Sequence, residues 1–192
     1  MSSQKPSVCA LVKHRPIAAS SVSSTFPVVV SRVLIGRHAK TIGVSRSSIY
    51  EFAGGDVAFL ALAAAHHERC LQDPELNHLF SHGVHPAHIE NLAFYWAEVF
   101  GGPARYSELH GGHSAMLKIH AREGSGEDFP KRFVACFMQA ADDVGLPEDP
   151  EFRAAIRAYM EWAVEEVDSY APADAQVPQD LPAPRWGWSG PE

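Results

Sequence analysis

Gly101–His120 reads GGPARYSELHGGHSAMLKIH, and its two glycine pairs set the boundaries from which the rest of the chain can be read. Gly101–Gly102–Pro103 closes the helix before it, because glycine past the last turn frees the backbone and proline cannot continue it. Gly111–Gly112 then releases a short apolar-periodic run. Residues 104–112 read as loop and His113–His120 as a short helix. A histidine at such a helix end, with apolar segments on either side to fold over it, is a candidate metal ligand. An imidazole that caps the negative end of a helix in solvent has the same signature, and the residues alone leave both readings open. His113, seven positions earlier on the same face, is the nearby rival.

Upstream, Phe59, Leu60, Ala63, His67 and Cys70 or Leu71 recur at spacings of three and four, which predicts a helix capped by Asp56 and stopped near Asp73–Pro74. His66, one position round from His67, is expected to face outward. Asp73 caps a short turn carrying Leu76, Leu79 and Phe80. A second helix follows Pro86, with His88, Leu92, Tyr95 or Trp96 and Val99 as its stripe. Downstream, a helix opens at Asp128 or Phe129 with Pro130 in its first turn. Its face is Phe133, Phe137, Ala140 or Ala141, and Val144. Asp149–Pro150 begins the last helix, whose stripe is Phe152, Ile156, Tyr159, Ala163 and Val167. Helical periods without strand-like alternation make the fold class all-α.

The chain has 192 residues, enough for one core plus tails. Domain boundaries fall at 1–47, a basic N-terminal extension; 48–170, the helical domain; and 171–192, a Pro- and Ala-rich C-terminal extension in which Trp186 and Trp188 point to some docking. Residues 1–50 hold seven Lys and Arg and no acid, leaving nine bases against 23 acids beyond them. So acidic a domain lacks the basic footprint of a nucleic-acid binder. The N-terminal extension reads as a flexible arm or an organelle-targeting segment, with a strand-like piece at Pro27–Ile35. No apolar run is long enough to cross a membrane. Three widely spaced cysteines exclude a disulfide scaffold or structural zinc site and fit a reducing, cytoplasmic setting. Cys70 and Cys136 read as core thiols.

An all-α domain that buries a flat apolar cofactor needs one imidazole on a helix to reach the metal and apolar side chains on both faces. The residues present also resemble a known family. Gly54–Gly55, then Asp73-Pro74-x-Leu76 with Phe80, then Phe94 and Trp96 before Gly101–Gly102–Pro103 and Tyr106, and finally HGGHSAMLKIH, are similar to the recurring pattern of group II (O type) truncated haemoglobins. The resemblance covers about residues 48–170. It implies a truncated globin-like two-over-two helical sandwich around haem b, with His120 as the proximal metal ligand. By position it places His67, Phe80, His88, Leu92 and Phe133 around the haem, and Lys118 or Arg122 near a propionate. It also implies small diatomic ligands (dioxygen, nitric oxide, carbon monoxide), an unidentified reductase, and a monomer or small homo-oligomer.

The chain departs from the family in four places. His67 stands where a tyrosine is usual and Phe133 where a tryptophan is usual. One extra glycine occupies the 111–112 pair, and AREGSG replaces the family's HxPFxI segment, with Phe129 a candidate to supply its packing. Histidines at 67 and 88 can donate to a bound gas, assist nitric oxide dioxygenase or peroxidase-like chemistry, or take the iron themselves. Another reading stands beside this one. His78, His82, His85 and His88 form a HxxxHxxHxxH string that suits a transition-metal-binding helical module, and a haem-free interaction or sensor domain would share the same frame.

Overall fold

The computed structural model describes residues 46–81, 83–122, 126 and 128–192. The expected strand-like piece at Pro27–Ile35 and any targeting segment lie outside these residues, as does His82.

The helix α1 (Ile49–Ala53) opens on a capping box. The Ser48 hydroxyl accepts from the Glu51 N–H and the Glu51 carboxylate accepts from the Ser48 N–H, each at 3.1 Å. Two donors that a first turn leaves without partners are thereby satisfied. Gly54, at φ +111°, ends α1 and precedes α2 (Gly55–Gln72). Asp56, expected as the cap, lies inside α2, because the two glycines adopt left-handed backbone and start the helix early. Its carboxylate instead pairs with Arg105 at 2.8 Å and accepts from the Tyr50 hydroxyl at 2.9 Å.

A 3-10 turn (Asn77–Phe80) leads to α3 (His88–Val99), which stops at the expected glycine pair. The segment expected as loop instead contains a helix, α4 (Arg105–His110). Buried Tyr106 packs edge-on against Tyr95, and the Ser107 N–H donates to the Glu98 carboxylate at 3.0 Å. Six residues are too few to carry a periodicity, so the sequence shows the stops and hides the helix. Then come α5 (Gly112–His120), α6 (Phe129–Asp143) and α7 (Pro150–Ser169). Asp149 caps α7 as expected, its carboxylate accepting from the Phe152 N–H at 2.9 Å, with Pro150 at the first position.

Two helix pairs, α2 with α3 and α6 with α7, stack through the α2–α6 contact. Phe59, Val99, Phe100, Phe137, Phe152 and Tyr159 form the core between them. Each fully buried large apolar side chain contributes roughly 1.5–3 kcal/mol over exposure. An exposed pair such as Arg157–Glu161 gives a few tenths, so ring packing rather than charge sets the frame. On α2 the inward residues are Phe59, Leu62, Ala63, His66 and Cys70, whereas Leu60 and Leu71 face out. No helix among the described residues is long and apolar enough to cross a membrane.

The C-terminal extension docks on the helices. Its hairpin, β1 (Trp186–Gly187) with β2 (Gly190–Pro191), buries Trp186 to 6% exposure against Tyr159 and Trp162. Trp188 meets Phe52 edge-on, lies under the Arg46 guanidinium at 3.3 Å and donates its indole N–H to the Ser47 carbonyl at 2.8 Å.

Gly102 shows why the pair before Pro103 is glycine. A Cβ there would lie 2.7 Å from the Ala97 carbonyl oxygen and 2.8 Å from the Tyr50 ring. Gly102→Ala should therefore cost about 1–3 kcal/mol of stability. Urea unfolding should show a lower midpoint with an unchanged slope.

Candidate functional site

Three elements converge on one set of rings. His67 comes from α2, Phe80 from the 3-10 turn and His88 from the first turn of α3. The His67 and Phe80 rings stand edge to face with centroids 4.7 Å apart, His67 and His88 are 5.0 Å apart, and Phe80 and His88 6.0 Å. Leu92 follows one turn after His88 and is half-buried against the core. The structure thus gathers three of the residues singled out by the sequence, His67, Phe80 and His88. Nδ1 of His67 is buried with no hydrogen-bond partner among the described residues. Such an atom costs about 1–3 kcal/mol unless something supplies a partner. Burial, followed by the charges of His67 and His120, holds the pKa of half-buried His88 below its ordinary value, so it is neutral at neutral pH.

His66 corrects the sequence reading. It is 2% exposed, not outward-facing. Its ring packs edge-on against Phe133 at 4.5 Å and lies near Trp96 and Phe137, with Nε2 3.6 Å from the Cys70 sulfur. Burial is the largest influence on its pKa and lowers it to about 3. A backbone hydrogen bond at Cys136 acts the other way, and charges on His67 and His88 add to the lowering. Phe133 thus covers a core histidine, and Phe129 stacks behind it at 5.4 Å. Cys70 and Cys136 are buried free thiols, both pushed up in pKa by burial, as core thiols should be.

On α5, His120 carries an exposed ring whose Nδ1 lies 2.9 Å from the Met116 carbonyl oxygen. A carbonyl only accepts, so Nδ1 holds the hydrogen and Nε2 presents its lone pair outward. Metal-binding histidines are typically oriented in this way, with the second nitrogen fixed by a carbonyl or carboxylate. The rival, His113, is 4% exposed and has both nitrogens engaged. Nε2 donates to the Glu166 carboxylate at 3.0 Å and Nδ1 accepts from the Tyr95 hydroxyl at 2.6 Å. It has no lone pair left for a metal. Lys118 donates to the Gln179 side chain at 2.9 Å, and Arg122 to the Ala175 carbonyl at 3.2 Å.

Among the described residues no three His, Cys, Asp or Glu side chains gather to hold a bare metal ion. His78 and His85 of the histidine string are exposed, and His85 Nδ1 accepts from the Ala87 N–H at 3.1 Å. A single outward imidazole nitrogen suits a metal that brings most of its own coordination in a planar macrocycle. The orphaned nitrogen of His67 suits a polar ligand beside it. The residues present therefore fit haem. A shallow cleft over α6 and α7, floored by Val134, Met138 and Val164, contains none of these groups.

Known proteins bear on this arrangement. A family model described as bacterial-like globin matches residues 48–172. The haemoglobin of the thermophilic phototrophic bacterium Chloroflexus aurantiacus is 29% identical, with a TM-score of 0.55 over 64% of this chain and 98% of that one. The group II 2-on-2 haemoglobin of the plant pathogen Agrobacterium tumefaciens is 26% identical, with a TM-score of 0.53 over 66% of this chain and 97% of that one. A thermostable haemoglobin from the actinobacterium Thermobifida fusca is 25% identical, with a TM-score of 0.53 over 69% of this chain and all (100%) of that one. No curated protein matches the chain.

The buried neutral His66 makes the fold acid-sensitive. Its pKa falls from 6.5 unfolded to about 3 folded, so the unfolded chain binds the extra proton between those values. Stability is complete above about pH 6.5 and is lost as pH falls toward about 3, by an order of magnitude of several kcal/mol. His66→Leu should flatten that dependence, and chemical denaturation at pH 7 and pH 4.5 should show a smaller difference than in the parent protein.

Proposed function

Because the chain belongs to the bacterial-like globin family, and so is a haem protein that binds small diatomic ligands, we propose that His120 holds the iron of haem b and that His67 and His88 control the gas on the opposite face. The observation that carries this reading is the Nδ1 contact of His120 with the Met116 carbonyl at 2.9 Å, which leaves Nε2 free and fixed in direction. Haem, when bound, would supply an iron that takes a diatomic gas. The chain's own residues do the rest. His120 provides the nitrogen and sets its orientation through the Met116 carbonyl. Phe80 and Leu92 offer apolar walls that exclude water. His67, with a buried unpartnered Nδ1, supplies a hydrogen-bond donor to a polarised gas, and neutral His88 beside it supplies another. Phe133 stacks but donates nothing.

A donor of this kind favours dioxygen over carbon monoxide, because the former carries more negative charge. That selectivity suits dioxygen binding and delivery. With electrons from a separate reductase, the same pair of histidines suits oxidation of nitric oxide to nitrate. Either histidine can also serve as a base in peroxide cleavage. A second reading follows from the half-buried, neutral state of His88: its nitrogen is available to occupy the iron directly when no gas is present.

Purified protein should show the intense haem band, and His120→Ala should lose stable haem. Retention of a parent-like spectrum by that variant would make the assignment wrong. Replacing His67 by Phe or His88 by Leu should speed dioxygen release about tenfold or more, the equivalent of a charge-assisted hydrogen bond of about 1.5–3 kcal/mol. Stopped-flow release rates check this. The ferrous, gas-free spectrum decides the second reading. A five-coordinate form excludes internal ligation, whereas a low-spin form that disappears with His88→Leu establishes it.

A further inference from the structure

The helix that carries His120 is poorly secured by its own sequence. Gly111 precedes it and Gly112 begins it, so no side chain caps its first turn. The free N–H groups of a first turn need partners from elsewhere, and here they come from the C-terminal extension. The His113 N–H donates to the Leu181 carbonyl at 3.1 Å. The Leu181 N–H donates to the Ser114 hydroxyl at 2.9 Å, and that hydroxyl donates to the Pro178 carbonyl at 2.8 Å. Ser114 is buried at this junction. Further along α5, Lys118 reaches Gln179. Beyond its end, Arg122 adopts left-handed backbone, and its N–H donates to the Tyr170 carbonyl at 2.9 Å. Contacts with residues 170–181 therefore bracket His120 from seven positions before it to two positions after it.

The doubled glycine belongs to the same arrangement. A Cβ on Gly112 would lie 3.1 Å from the Leu181 carbonyl oxygen, and its φ of +73° disfavours any side chain. The residue that makes room for the extension is thus one of the glycine pair that lengthens this chain relative to the truncated haemoglobin pattern. Most of the extension also lies past residue 172, where the family match ends. Buried Trp186 anchors its far end against Tyr159 and Trp162.

We infer that residues 170–181 act as a strap that positions His120 toward the haem iron, with Ser114 as the positioning residue through which the strap grips the helix. This rests on His120 being the iron ligand. The strap supplies from the far end of the same chain the cap that Gly111 cannot, holds the first turn of α5 against residues 178–181 and fixes the backbone beyond His120 through Arg122. A helix held along its length presents Nε2 in one orientation. A helix freed at its first turn would present it in several.

The test uses the full-length, haem-loaded protein and two measurements. One is haem loss to excess apomyoglobin. The other is the iron–histidine stretching band of the ferrous, gas-free form in resonance Raman spectra. Ser114→Ala breaks two hydrogen bonds to the strap and should raise the haem-loss rate about five- to tenfold while shifting or broadening the band. Ser48→Ala is the comparison, since it breaks a capping box far from α5 and should lose similar stability with the band and haem-loss rate unchanged. Should Ser114→Ala fold poorly, Leu181→Pro removes the N–H that donates to the same hydroxyl and carries the same expectation. A Ser114→Ala protein that behaves like Ser48→Ala in both measurements overturns the strap. A parent protein that takes up no haem overturns the function, and the strap's role in it, at an earlier step.

Discussion

A buried histidine with both nitrogens committed ties α5 to the rest of this protein. His113 accepts from Tyr95 on α3 and donates to Glu166 on α7. Its ring lies nearly parallel to Tyr95 at 6.1 Å and to Trp162 at 6.4 Å. Burying an imidazole and a carboxylate is unfavourable unless each finds its partner, and removing either would leave the other stranded at a cost of about 1–3 kcal/mol. One side chain near the start of α5 thereby fixes that helix to two others at a single point. The end of α5 follows from its start, and so does the direction in which His120 points.

Much of this was legible in the sequence wherever a backbone constraint marks it. Gly101–Gly102–Pro103 ends α3, Asp149–Pro150 begins α7 and Gly111–Gly112 opens α5, because glycine and proline act through backbone geometry that no tertiary contact easily overrides. The convergence of His67, Phe80 and His88 was legible through spacing and through resemblance to a family pattern. What stayed hidden has physical reasons. The residues of α2 include Ala58, Ala61, Ala63, Ala64 and Ala65, which give little direction to an apolar stripe, so a small rotation exchanges Leu60 for Leu62 and brings His66 inside. The helix α4 is too short to show a period. Trp186 and Trp188 signalled that the C-terminal extension docks, but its grip on α5 rests on main-chain groups of residues 178 and 181 that meet the Ser114 hydroxyl and the His113 N–H, and main-chain groups leave no trace in residue identity.

His66 and His67 show how little separates structural from functional use of one side chain. They are adjacent on α2, about 100° apart around its axis. His66 turns into a wall of Phe133, Trp96 and Phe137 and is kept neutral by burial. His67 turns to Phe80 and His88 and keeps a buried nitrogen without a partner. The first is a packing element that happens to be titratable. The second has the unsatisfied polarity expected of a residue whose partner arrives with a ligand.

Gly112 and Leu181 are far apart in sequence and meet as one structural detail. A chain with the extension but a side chain at 112 would carry both a left-handed backbone that resists it and a carbonyl pressed against it. A chain with the glycine but no extension would leave the first turn of the helix that ends in His120 uncapped. The glycine and the tail therefore depend on each other: the left-handed backbone at Gly112 lets the Leu181 carbonyl approach, and that carbonyl satisfies an N–H in the first turn of α5.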